Sequence, residues 1–179
     1  MLLSDRMDQT KKQVRAQSAN MMTLFNLTLG ILAILLILNH HAHMSLLMIF
    51  LACLVDRFDG GIARKLNVTS DFGKELDSLC DLISFGVAPA LLLYQSLFIH
   101  YNVFGIFVTI IYILCGAIRL ARYNITEFDG SFHGLPITVA GCLLTLSYLA
   151  ISHIPGLAIC SFSILLSSMM VSNFRIKKM

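Results

Sequence analysis

Charge is scarce in this chain. Only 13% of its 179 residues are Asp, Glu, Lys or Arg, about half of the roughly 25% usual in a soluble domain, while 57% are hydrophobic. That balance excludes an ordinary soluble globule and places the chain in the membrane class. Tryptophan is absent and proline occurs three times, which is compatible with long, mostly unbroken helices. The five cysteines, at 53, 80, 115, 142 and 160, include no CxxC pair or other metal spacing. Lying within apolar stretches, they read as small buried hydrophobes rather than as a disulfide or zinc framework. Internal repeats, low-complexity tracts and Pro/Gly linkers are missing too, so a single membrane domain is expected over 1–179. The net charge of +3 is too small to suggest a nucleic-acid partner.

What is abundant is apolar sequence. After a polar segment, 1–19, apolar runs cover 21–38, 44–55, 76–99, 103–120, 135–152 and 157–171. The first lacks a small-residue cleavage site and is expected to be a retained span. Five runs fit the scale of about 17–25 residues that a helix needs to cross hydrocarbon. The second is too short unless its helix continues through Asp56, Arg57 and Asp59 toward Lys65. With six spans, all 13 Lys and Arg fall on the side of the two termini, and loops 39–43, 100–102 and 153–156 hold none. By the positive-inside rule that side is cytosolic. The ten acidic residues fall there as well, so the polar chemistry gathers at one face of the lipid bilayer. The expectation is an all-α integral membrane protein of the cell membrane. It has six transmembrane helices in a core over 20–174, a cytosolic N-terminal segment over 1–19 and a basic cytosolic tail over 175–179.

Four aspartates stand out in the stretch DRFDGGIARKLNVTSDFGKELDSLCD, residues 56–81. Asp56 and Asp59 are three apart and Asp77 and Asp81 four apart, so each pair shares a helix face. A turn over 64–75 would make the two helices antiparallel neighbours and bring all four carboxylates to one depth. Unpaired charge near lipid is costly, and like charges repel. Pairing with Arg57, Arg64 or Lys65 relieves this, and so does binding hard cations. Two Mg²⁺ or Mn²⁺ ions would neutralise four carboxylates, and all-oxygen ligation suits those metals better than zinc. A set of surface ion pairs at a helix end is the plainer alternative. Small residues after the first pair, Gly60, Gly61 and Ala63, leave room for a ligand against the backbone or, equally, for close helix packing.

The spacing D-x2-D-G-x2-A-R-x8-G-x3-D-x3-D, met by Asp56, Asp59, Gly60, Ala63, Arg64, Gly73, Asp77 and Asp81, resembles the signature of the CDP-alcohol phosphatidyltransferase family. The resemblance implies a fold of six transmembrane helices with a cytosol-facing site, usually as a homodimer. It implies Asp56, Asp59, Asp77 and Asp81 as metal ligands, Asp81 also as the general base, and CDP-diacylglycerol as donor. Gly60, Ala63, Arg64 and Gly73 resemble the nucleotide cradle. Thr23 and Asn26 on the first span either help hold the cytidine or make ordinary interhelical hydrogen bonds. Three further stretches, LDSLCDLISFGVAP (76–89), GAIRLARYN (116–124) and FHGLPITVAG (132–141), resemble members that use L-serine as acceptor. Glycerol 3-phosphate and an inositol phosphate are the competing acceptors. Arg119 and Arg122, three apart at a cytosolic helix end, either bind the serine carboxylate or a lipid phosphate or serve as membrane-interface anchors. Lys65 and Lys74 are further candidates for phosphate contact.

Other readings fit less well. An intramembrane prenyltransferase needs two aspartate motifs on well-separated helices. A cation transporter places its carboxylates near the midplane, often with internal repeats. A scaffold protein has no use for a repulsive cluster. The histidines at 40, 41 and 43 lie on the opposite side from the aspartates and read as a solvated turn.

Overall fold

A computed structural model describes residues 2–66, 71–125, 131–172 and 175–177, with the backbone alone for 2–19, 59–66, 131–133 and 175–177. The described residues are almost wholly helical. Helix α1 spans Leu2–Leu38, α2 Ala42–Leu66 and α3 Asp71–Asp81. A widened π turn, Leu82–Val87, leads into α4, Ala88–Ser96. A 3₁₀ turn, Phe98–Tyr101, precedes α5, Asn102–Ile125, which is followed by α6, Ile137–Ser147, and α7, Gly156–Val171. Because α3, the widened turn and α4 form one rod, the helices amount to six rods. Among the described residues, three segments are long and apolar enough to cross a membrane: Asn20–Leu38, Asp71–Ser96 and Phe98–Ile125. The segments Ile137–Ala150 and Gly156–Val171 are apolar but shorter.

The surface identifies a membrane protein. Large apolar side chains on every rod, among them Phe25, Leu35, Leu47, Leu79, Phe107, Leu143 and Leu165, are exposed. Soluble monomers rarely show apolar patches beyond a few hundred Å², whereas lipid is an equal solvent for them. Inside, Thr109, Thr145, Ser163 and Ser167 each donate a hydroxyl to the carbonyl four residues back, at 2.7–2.9 Å. Each buried hydroxyl is thereby satisfied without help from water. Phe85, Leu93, Tyr112 and Leu144 centre one buried cluster. Ala33, Ile37, Ile49 and Leu92 form another where α1, α2 and α4 meet.

All three prolines have identifiable work, and one of them interrupts a rod. Pro136 and Pro155 stand immediately before α6 and α7, positions where a missing N–H costs nothing. Pro89 lies in the first turn of α4. Lacking an N–H, it cannot bond the carbonyl of Phe85 four residues back, and its ring crowds that carbonyl. The helix widens just before it, with the Ala88 N–H bonding Ile83 O, and Phe85 O accepts the Tyr112 hydroxyl at 3.3 Å. Gly141 on α6 lies directly over this carbonyl, where a Cβ would come within 2.6 Å of Phe85 O. Within an otherwise continuous rod, the helix carrying Asp77 and Asp81 thus changes its winding directly after Asp81.

Two expectations are revised and one element is added. Helix α2 runs on to Leu66 and α3 begins at Asp71, so the connection is shorter than the turn expected over 64–75. A short ribbon is added to the all-α expectation: Arg175–Lys177 pairs antiparallel with Ser131–His133, Phe132 opposite Ile176. The cysteines are not uniformly inert core. Cys80 and Cys160 are buried, but Cys53 and Cys142 are half-buried with their Sγ atoms 3.0 Å apart.

Candidate metal and catalytic site

Helix α2 continues past the end of its apolar run, as the short run requires, and carries Asp56 toward its C-terminal end. Asp77 and Asp81 occupy one face of the short helix α3, which also buries Cys80. One carboxylate oxygen from each of Asp56, Asp77 and Asp81 lies within 4.8 Å of the other two. A divalent cation holds oxygen ligands at about 2.0–2.6 Å, so one ion can reach all three. Asp59 shares the Asp56 face by its spacing on the unbroken backbone of α2. The side chains of Asp59, Gly60, Ala63, Arg64 and Lys65 lie outside the described residues.

The chemistry of the donor set fits a hard cation. Three carboxylates at this separation repel one another unless a positive charge lies between them. Asp81 Oδ1 is buried and has no hydrogen-bond partner; a buried acceptor left so costs about 1–3 kcal/mol, which a metal or a substrate hydroxyl would remove. Two neighbours repeat the pattern. Arg119, on α5, faces Asp81 electrostatically, yet its Nε is buried without a hydrogen-bond partner. Asn26, on α1, is buried with Oδ1 unpartnered. Its backbone carbonyl accepts the Ser84 hydroxyl of the widened turn at 3.2 Å. Thr23, one turn earlier, is also buried, and Gly73 is half-buried one turn before Asp77.

Two basic candidates stand elsewhere. The Arg122 guanidinium donates to Val171 O at 3.0 Å, satisfying a carbonyl at the end of α7 that its own helix leaves unpaired. Lys74 lies 3.9 Å from Asp71 in an exposed pair on its own helix, an interaction worth little in water. A link that spacing did not suggest joins α3 to α5 beside the carboxylates: Ser78 Oγ donates to Asn124 Oδ1 at 3.1 Å. Partners 46 residues apart leave no local signature, although both residues fall inside the stretches that carry the family resemblance.

Compared with known proteins, residues 16–173 match the family model described as CDP-alcohol phosphatidyltransferase. The CDP-diacylglycerol–serine O-phosphatidyltransferase of Bacillus subtilis is 41% identical over 150 residues, 83% of this chain and 85% of that protein. The protein of the same name from Methanocaldococcus jannaschii is 40% identical over 156 residues, covering 87% and 71% of the two chains. That from Helicobacter pylori is 36% identical over 165 residues, covering 87% and 70%.

Proposed function

The chain belongs to the CDP-alcohol phosphatidyltransferase family, and from that premise we propose that it transfers the phosphatidyl group of CDP-diacylglycerol to the hydroxyl of L-serine, releasing CMP. The observation that carries the chemistry is the convergence of Asp56, Asp77 and Asp81 from two helices within 4.8 Å. The serine assignment is supported by relatives of that name at 36–41% identity over most of the chain.

Asp56, Asp59, Asp77 and Asp81 would hold two divalent cations. When bound, Mg²⁺ or Mn²⁺ supplies polarisation of the phosphorus and charge for the departing CMP. Asp81 stands apart from Asp56 and Asp77 by its buried, unpartnered Oδ1, which takes the proton of the serine hydroxyl as the new O–P bond forms and the bond to CMP breaks. Arg119, beside Asp81, offers its unpartnered Nε–H to the serine carboxylate. Asn26 and Thr23 face the cytidine from α1, and Gly60, Ala63, Arg64 and Gly73 cradle the nucleotide. Lys65 adds positive charge near the phosphates, whereas Arg122 and Lys74 serve Val171 O and Asp71 instead. Most of the acceleration then comes from positioning and charge neutralisation.

The six rods cross the membrane with both termini and the site on the cytosolic side, as the placement of every Lys and Arg supports. The enzyme works as a homodimer, as the family resemblance implies. The decisive experiment gives the purified protein CDP-diacylglycerol and Mg²⁺ or Mn²⁺ with serine, glycerol 3-phosphate or an inositol phosphate in turn. CMP release that requires serine is expected. Release with another acceptor alone, or with none, overturns the assignment.

A further inference from the structure

Cys53 and Cys142 are 89 residues apart in sequence, on α2 and α6, yet their Sγ atoms lie 3.0 Å apart, Cys142 donating its S–H to Cys53. Both are half-buried rather than sealed in the core. Two thiols in such contact need only about 1 Å of closure to reach the roughly 2.05 Å of a disulfide. Cys53 stands one turn before Asp56 on the same face of α2. Cys142 follows Gly141, whose backbone is pressed against Phe85 O in the widened turn after Asp81. Of the two helices that the thiols would join, α2 therefore carries Asp56, and α6 abuts the turn that follows Asp81.

We propose that Cys53 and Cys142 form a dithiol modification site that a hydroperoxide closes to a disulfide, pinning α2 to α6 and slowing turnover. One thiolate attacks the peroxide, breaking the O–O bond and giving a sulfenic acid and water (or alcohol). The second sulfur then displaces the sulfenic oxygen as water. Two thiols are oxidised, one peroxide is reduced, and both thiol protons leave in the products. The closure of about 1 Å falls on α2, which carries Asp56, and on α6, whose Gly141 abuts the turn after Asp81. A misplacement of that size can cost about 100-fold in rate, so a fall of roughly 10- to 100-fold is expected. In a reducing cytosol the bond is transient, a property that rests on the orientation proposed above.

The test treats the purified full-length protein with hydrogen peroxide and maps linked peptides by mass spectrometry without reduction. CMP release is followed before oxidation, after it and after dithiothreitol. The expected result is a Cys53–Cys142 linkage, lost turnover and recovery on reduction, with neither linkage nor loss in Cys53→Ser or Cys142→Ser. Wild-type protein alkylated with N-ethylmaleimide before peroxide gives the same control if either variant fails to fold. Absence of the linkage, or a linked protein with unchanged turnover, overturns the proposal. If the reduced protein releases no CMP, the functional reading fails, and the linkage alone decides this one.

Discussion

The two ends of the helix bundle both gather side chains able to bind metal, but they treat their polar atoms in opposite ways. At the histidine end the groups satisfy one another: Gln95 Nε2 meets His40 Nδ1 at 2.8 Å, and Tyr148 reaches His43 Nε2 at 3.5 Å with the rings edge-on. At the aspartate end Asp81 Oδ1, Asn26 Oδ1 and Arg119 Nε are buried without hydrogen-bond partners. Unmet buried groups cost stability, and a fold keeps several together only where something outside the chain meets them. Clustering of ligand-type residues is therefore a weaker guide to chemistry than the absence of partners around them.

The contrast can be broken at several points. Asp81→Asn keeps the shape but removes the base. Turnover should fall about 100- to 10,000-fold, with nucleotide and metal binding largely kept; near-normal CMP release by the purified variant would remove Asp81 from the proton transfer. Next in size is the division between the two arginines of α5. Arg119→Ala should cost about 100-fold in serine-dependent turnover, with Arg119→Lys recovering part of it. Arg122→Ala, which frees the Val171 carbonyl, should cost about 1 kcal/mol in thermal unfolding and leave turnover within about twofold. Equal effects of the two on turnover would erase the distinction. Gly141→Ala places a methyl group 2.6 Å from Phe85 O; a loss of about 1–3 kcal/mol in stability is expected, along with slower turnover from the displaced turn behind Asp81. Smallest of all, Gln95→Ala or His43→Ala should cost about 0.5–1 kcal/mol and leave CMP release unchanged. A large loss of activity there would put chemistry at the wrong end.

What could be read from the residues alone follows a physical division. The continuation of α2 through Asp56 was legible because an apolar run of 44–55 is too short to cross a bilayer. The convergence of Asp56, Asp77 and Asp81 was legible because three- and four-residue spacings fix a helix face. Local periodicity carries no information on contacts between distant segments, so the Cys53–Cys142 and Ser78–Asn124 pairs were invisible. The acceptor for Arg122 is a backbone carbonyl, which every residue possesses and no sequence distinguishes. The widened turn was partly legible: Pro89 marks the place where Phe85 O loses its donor, but a count of three prolines hid the consequence of one. The ribbon of Ser131–His133 with Arg175–Lys177 is too short for a two-residue period to emerge.

Mn²⁺ binding, followed by the loss of the free-ion paramagnetic resonance signal on adding purified protein, tests the metal centre most directly. Wild-type protein is expected to take up two ions per chain, and Asp56→Asn and Asp77→Asn to lose most of that uptake while keeping the helical circular dichroism of the wild type. Undiminished Mn²⁺ uptake by both folded variants would contradict the assignment of these converging carboxylates as the metal centre.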